Sequence, residues 1–217
     1  MKVMAFNGSP RKTWNTAMLL EKALEGAAKA GAQTELVHLN DLTFKGCQSC
    51  FSCKIRGGKS YGKCDRKDDL TPILERVREA DAIIMSSPVY LGTETAAARA
   101  LLERVVYPYL VYDGSISCFP RKIKTGYIYT MNITEADVNN GRQGLDQHIK
   151  YTEDLMKRIF GASESLVVTD TYQFKDYSKF VVEIFDAQSK WKRRQEVFPQ
   201  DLQKAFDMGV RFAQGAN

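Results

Sequence analysis

Short apolar runs that stop abruptly at loop residues, each followed by a stretch of helical period, leave this chain few folds to choose from. Residues 2–6 end at Asn7-Gly8-Ser9-Pro10, residues 34–39 form a second run, and Asp81 to Ser86 form a third that stops at Ser87-Pro88. A fourth covers 124–131 and a fifth Ser165 to Thr169. Runs of this length bounded by loop signals read as buried strands. Helices are predicted between them, over 15–30, about 70–79, 94–106 and 144–160, with a closing helix opened by Pro199 at the favoured first-turn position. Ala17, Leu20, Leu24 and Ala27 recur on one face of the first helix, and Gly31 is its stop signal. Asp68-Asp69 are placed to cap the second. Strands alternating with helices require right-handed crossovers and a parallel sheet covered on both faces. The predicted fold class is therefore α/β, a doubly wound five-stranded parallel sheet of order 2-1-3-4-5. The prediction is one domain over residues 1–217, with a cysteine-rich insertion at about 45–67 and an irregular excursion at about 170–197.

That excursion mixes Tyr172, Phe174, Tyr177, Phe180, Phe185 and Trp191 with charges and has no clear period. It is expected to pack on a neighbouring subunit, to cover the site, or to lie as a flap on its own domain. Lys190 to Arg194 is the densest positive cluster and reads as a solvated turn before the last helix. A hydrophobic content of 44% and a charged content of 26% are those of a soluble globular chain. No apolar run reaches the roughly 18 residues of a membrane span, and Asn7-Gly8-Ser9-Pro10-Arg11 ends the apolar N-terminus too soon for a signal peptide. A cytoplasmic protein with no membrane partner is the expectation. The net charge of +5 suits anionic small ligands, and without a basic patch interleaved with aromatics no nucleic-acid partner is expected.

The first strand runs directly into a loop of Asn7 to Thr16 and then a helix. Free amides and the dipole at a helix start favour an anion there. Gly8 allows a tight turn, Ser9, Thr13, Asn15 and Thr16 bring short polar groups, and Arg11 brings a cation that can fork onto phosphate oxygens. Neither the three-glycine dinucleotide fingerprint nor a Gly-Lys-Thr loop is present, so a terminal monophosphate fits better than a pyrophosphate. In the 2-1-3-4-5 order, strands 1 and 3 flank the switch point where ligands sit. The loop after the third strand, Ser86-Ser87-Pro88-Val89-Tyr90-Leu91-Gly92, offers a flat apolar platform in that crevice. A ring-bearing monophosphate is the ligand such a pair of loops would hold.

Gly8-Ser9-Pro10-Arg11 with Asn15-Thr16, followed by Ser87-Pro88-Val89-Tyr90, resembles the NADPH-dependent FMN reductase family, which is flavodoxin-like, over roughly residues 1–135. The cysteine block narrows the likeness to its iron-sulfur flavoprotein branch. The resemblance implies FMN as cofactor and NAD(P)H as co-substrate. It assigns Ser9, Arg11, Thr13, Asn15 and Thr16 to the phosphate and Pro88, Val89, Tyr90, Leu91 and Gly92 to the ring. Thr130, Met131 and Asn132, at the end of the fourth strand, take the position of a third flavin-contacting loop. The expected activity is hydride transfer from a reduced nicotinamide to the flavin, then electron delivery to a small acceptor (a quinone, free flavin or similar) or a redox protein. The alternative is a non-enzymatic iron-sulfur flavoprotein using FMN and a [4Fe-4S] cluster. A flavodoxin-type carrier is typically strongly acidic, and this chain is basic. A homodimer or homotetramer is implied by resemblance.

Five cysteines without an export signal argue against a disulfide framework. Cys47-x2-Cys50-x2-Cys53 followed by Cys64 can hold a [4Fe-4S] cluster or a zinc ion, or can remain free, redox-active thiols. Residues 54–63 make the last gap looser than the compact spacing of the iron-sulfur branch. Nearby Lys54, Arg56, Lys59 and Lys63 would favour thiolates. Cys118, His38 and His148 are expected to be passive, and no general acid or base stands out.

Overall fold

The computed structural model describes residues 1–141 and 144–214. Strands β1 (Lys2–Asn7), β2 (Gln33–His38), β3 (Ala82–Tyr90), β5 (Ile123–Thr130) and β6 (Gly161–Val168) form the parallel sheet, in the order β2-β1-β3-β5-β6. Counting these five in chain order, this is the predicted 2-1-3-4-5 winding. A sixth strand, the two-residue β4 (Thr93–Glu94), was not foreseen; it turns back antiparallel on the end of β3.

The helices α1 (Asn15–Lys29) and α7 (Phe198–Phe212) cover one face, and α2 (Thr71–Glu79), α3 (Ala96–Val106) and α5 (Leu145–Phe160) cover the other. Each strand serves both layers, because successive side chains point to opposite faces. In β1, Val3 and Ala5 pack toward α1 and α7 while Met4 and Phe6 pack toward α2 and α3. That double burial explains the nearly continuous apolar runs of the sequence.

Several boundaries differ from the sequence reading. β3 continues through Ser87 and Pro88 to Tyr90, because Val89 and Tyr90 find antiparallel partners in Glu94 and Thr93. β6 starts at Gly161, four residues before the apolar run, since its register follows β5 from Ile123. Asp68 and Asp69 do not cap α2 from the expected position: Asp68 accepts from Leu70 N–H at 3.2 Å, and Asp69 accepts from Thr43 N–H at 2.7 Å. Residues 135–139 form an unforeseen short helix (α4, Glu135–Asn139) with a capping box from Thr134.

The 170–197 excursion ends in a helix, α6 (Ala187–Glu196), capped by Asp186. Lys190 to Arg194 therefore lie on a helix and not in a solvated turn. Lys190 is buried and Arg193 pairs with Asp201 at 2.7 Å.

Helices α1 and α7 approach too closely for side chains at two points. A Cβ on Gly209 would stand 1.7 Å from the Ala23 carbonyl oxygen, and one on Gly26 would stand 2.0 Å from that of Phe206. Backbone cannot yield as a side chain does. Gly209→Ala is expected to cost about 3 kcal/mol of stability, read as a lower urea midpoint with an unchanged slope.

Candidate functional site

The loop after β1 and the hairpin after β3 meet at the carboxyl ends of their strands, joined by Gly8. Its N–H donates to the Ser86 carbonyl at 2.8 Å, and its own carbonyl accepts from Thr95 Oγ1 at 2.8 Å. A Cβ there would sit 2.8 Å from Ala98 Cβ and 2.9 Å from Ser86 O, so glycine is required by close approach. Beside this junction opens a cleft of about 530 Å³, lined by Ser9, Arg11, Trp14, Asn15, Thr16, Pro88, Val89, Tyr90, Thr130, Met131, Asn132, Thr171 and Gln173.

Most of the residues singled out in the sequence thus line one cleft. Three do not. Thr13 is on the exposed side of its loop, and Leu91 and Gly92 form the tip of the hairpin. Both tip residues have positive φ, +53° and +84°, the pattern of a two-residue turn that matches strand twist. Leu91 is also fully exposed.

The polar groups of the cleft are held in place. Ser9 Oγ accepts from Arg11 N–H at 3.1 Å, and Thr16 and Thr130 share a buried hydroxyl contact at 2.7 Å. Arg11 lies 4.2 Å above the Trp14 ring and donates to the Gln173 carbonyl at 2.8 Å. Burial lowers the Arg11 pKa from its usual value, opposed by the nearby Tyr90 phenol. Helix α1 begins with no side-chain cap and no acidic residue in its first turn among the described residues, leaving its leading amides free for an anion. Asn132 Nδ2 donates to Gln173 Oε1 at 3.0 Å, whereas its Oδ1 is buried with no hydrogen-bond partner among the described residues.

The start of the excursion folds back onto the first loop of its own chain. The Tyr172 carbonyl accepts from Trp14 Nε1 at 3.1 Å and from Asn15 Nδ2 at 2.8 Å. Behind them Arg194 donates to Asn15 Oδ1 at 2.7 Å. Trp14, Thr171, Gln173 and Arg194 were missed in the sequence, where only the aromatic richness of the segment marked it.

Below the hairpin lies an ion pair that sequence motifs did not reveal. The Glu94 side chain has 0% exposure; its Oε2 is 2.5 Å from His148 Nε2 and accepts from Thr93 Oγ1 at 2.8 Å, while Arg99 reaches its Oε1 at 3.2 Å. His148 is thus an anchor of the hairpin at the end of β3 and not remote from the motifs. His38 contacts Asn7 at 3.1 Å at the end of β2.

The four cysteines of the block line a second and larger cavity, about 740 Å³, with Glu103, Arg104, Tyr107 and Pro108 on its far wall. Cys47 and Cys50 are exposed, Cys64 is half-buried and Cys53 is buried. Burial raises the Cys53 thiol pKa, while hydrogen bonds from the backbone and side chain of Ser52 lower that of Cys50. Ser49 and Phe51 take positive φ, 53° and 56°. Among the described residues no three acidic, histidine or cysteine groups are drawn together tightly enough for a single metal ion. A tetrahedral zinc at 2.3 Å from each sulfur would require sulfurs about 3.8 Å apart. The four thiols line one cavity, and a cubane takes one thiolate at each of four separate irons. Cys118 does not line that cavity; its Sγ donates to the Pro108 carbonyl at 3.7 Å and lies against the cysteine loop at Gly62.

A family model described as NADPH-dependent FMN reductase matches residues 1–122. The chain belongs to this family. Iron-sulfur flavoproteins of Archaeoglobus fulgidus and Methanocaldococcus jannaschii are each 40% identical over 104 residues, covering 48% of this chain and 48% and 51% of those proteins. The chain therefore spans about half the length of the curated relatives it matches. In fold it is similar to an NAD(P)H:quinone oxidoreductase from Methanothermobacter marburgensis, with a TM-score of 0.70, 17% identity, and coverage of 97% of this chain and 98% of that one.

Two variants test the geometry of the hairpin. Leu91→Asn relieves a left-handed leucine and is expected to add about 0.5–1 kcal/mol, seen as a melting point raised by a few degrees. Glu94→Gln removes the buried carboxylate that His148 and Arg99 share and should cost about 3 kcal/mol. Although burial alone would raise it, hydrogen bonds from its own backbone, His148 and Thr93 hold the Glu94 pKa below the usual 4.5. Its contribution is therefore present above about pH 4.5 and disappears as pH falls through the depressed value. The variant should lose that part of the acid dependence in denaturant titrations at pH 3–6.

Proposed function

We propose that this chain is an FMN-binding, NAD(P)H-dependent reductase that delivers electrons to a small acceptor such as a quinone or free flavin. The observation that carries the reading is the meeting of an uncapped helix start, an arginine at the cleft's exposed edge and a flat hairpin in one cleft at the switch point of the sheet. Ser9, Arg11, Asn15 and Thr16 would hold the phosphate, together with the free amides that open α1. Pro88, Val89 and Tyr90 would lie against the ring, and Thr130, Met131 and Asn132 would close its polar edge. The buried, unpartnered Asn132 Oδ1 is an acceptor suited to a ring N–H.

When bound, the flavin supplies hydride acceptance and onward electron delivery. The chain's own contribution is binding, orientation and exclusion of water. Arg11 neutralises the anionic end, the Thr16–Thr130 contact ties the first loop to the end of β5, and the Tyr172 and Gln173 carbonyls hold Asn15 and Arg11 in place. No side chain is assigned as a general acid or base. The acceptor is proposed to enter beside Tyr90, whose ring is 48% exposed. Exposed Leu91, Phe180, Val181 and Ile184 support a homo-oligomer, since apolar groups so displayed favour association. No described helix is long and apolar enough to cross a membrane, and a cytoplasmic setting is part of the proposal.

The cysteine cavity favours a second element, in which Cys47, Cys50, Cys53 and Cys64 hold a [4Fe-4S] cluster. With it, the chain would be an electron-transferring iron-sulfur flavoprotein.

Arg11→Glu combined with Asn15→Ala is expected to weaken FMN binding about 100-fold, the loss of one to two charge-assisted hydrogen bonds, in isothermal calorimetry. Unchanged affinity overturns the cleft assignment. Steady-state oxidation of NADH and NADPH with added quinone or FMN separates reductase from carrier; turnover with neither nicotinamide removes the reductase. Iron near four per chain after anaerobic reconstitution supports the cluster, and iron well below that removes it.

A further inference from the structure

The cysteine loop is held in shape by a helix that carries no cysteine. Arg104, on α3, has a side chain with 0% exposure and pairs with Asp68 at 2.5 Å. The same guanidinium donates from Nη1 to the Lys45 carbonyl at 3.1 Å and from Nη2 to the Arg66 carbonyl at 3.4 Å. Lys45 stands two residues before Cys47 and Arg66 two residues after Cys64. One planar group therefore grips both ends of the segment that contains all four cysteines. Asp68 is itself fixed by Arg66 Nε at 2.9 Å and by Leu70 N–H. The neighbouring Glu103 adds a second tie, its Oε2 accepting from Cys47 N–H at 3.0 Å.

A buried arginine is a costly way to fill a core position, because its desolvation is rarely repaid in stability. An apolar side chain of similar volume would pack α3 as well. What it could not do is bridge two carbonyls and a carboxylate in one plane. Nor would it leave a donor over: Arg104 Nε is buried without a hydrogen-bond partner among the described residues, and Arg104 and Cys64 line the same cavity. Burial alone would lower the arginine's pKa, but Asp68 and Cys64 outweigh it and the value ends above its usual one.

We propose that Arg104 is the positioning residue of the four-cysteine loop, latching its two ends together and setting a buried positive charge beside Cys64 for an anionic iron-sulfur group. The charge part rests on the cluster reading above; the latch does not. Net charge and hydrogen bonds around the sulfurs set the potential of such a cluster. Positive charge beside it stabilises the more negative, reduced form, so removing that charge lowers the potential.

The test uses the full chain in three forms: Arg104→Gln, the conservative Arg104→Lys, and the double variant Arg104→Met with Asp68→Leu, which removes both charges of the buried pair and leaves only the part-exposed Arg66 without its carboxylate. Far-UV circular dichroism and calorimetric FMN binding report that the domain is folded. In metal-free protein, trypsin should nick residues 45–67 at least tenfold faster in the double variant than in the parent. After anaerobic reconstitution, Arg104→Gln should hold less than half the parent's iron and sulfide, and whatever cluster it holds should be reduced at a lower potential. Arg104→Lys should return the potential toward the parent's value. A double variant nicked at the parental rate, or an Arg104→Gln protein with full iron and an unchanged potential, overturns the proposal and leaves Arg104 a simple core ion pair. If the parent takes up no iron but the variant loop still opens, the cluster reading fails and the latch stands.

Discussion

Both backbone polar groups of Gly8 are bound by β3 and the segment that follows it. Its N–H goes to Ser86 O and its carbonyl to Thr95 Oγ1, each at 2.8 Å. Thr95 is also the N-cap of α3, and Ser87 Oγ accepts from Thr95 N–H at 2.9 Å. Through this junction the first loop, the hairpin and the start of α3 form one rigid corner. The cleft has its dimensions because the two chain segments are bonded to each other and not merely adjacent. Preorganised polar groups of this kind need little rearrangement when a ligand arrives.

The same helix connects the two candidate centres. Its N-terminus is fixed at the cleft by Thr95, and its C-terminal half supplies Glu103 and Arg104 to the cysteine cavity. Eleven residues of α-helix span about 16 Å at 1.5 Å per residue. Beyond it, Lys54 reaches back from the cysteine loop to the carbonyls of Tyr107, Pro108 and Leu110. Strain in the loop, where Ser49 and Phe51 adopt left-handed backbone, is held by these contacts at its ends and middle. Such strain persists only where the surroundings over-determine it.

The cover over the first loop follows a different logic. Tyr172 and Gln173 contribute mainly carbonyl oxygens, which accept from Trp14, Asn15 and Arg11. Lys190, buried on α6, fastens the base of the cover through the Asn132 carbonyl and Asp170. Because main-chain acceptors make these contacts, the segment could show little motif in its sequence and still be specific in its fold.

Strand order, the alternation of layers and the convergence of the Gly8 and Tyr90 loops were legible in the sequence, because they depend on local signals. Apolar runs stop at glycine, proline and small polar residues, and the doubly wound topology then dictates where those stops meet. The cysteine spacing was legible too, though not what surrounds it. Tertiary structure alone decided that buried Arg104 and Glu94 find part-buried partners in Asp68 and His148, that Leu91 turns a hairpin, and that Arg194 backs Asn15. Each of these pairs joins residues far apart in the chain, and a charged side chain on a helix reads the same whether it faces water or a counter-charge. Local chemistry therefore determined the frame of this protein, and long-range packing determined which polar groups lost their water and had to find each other.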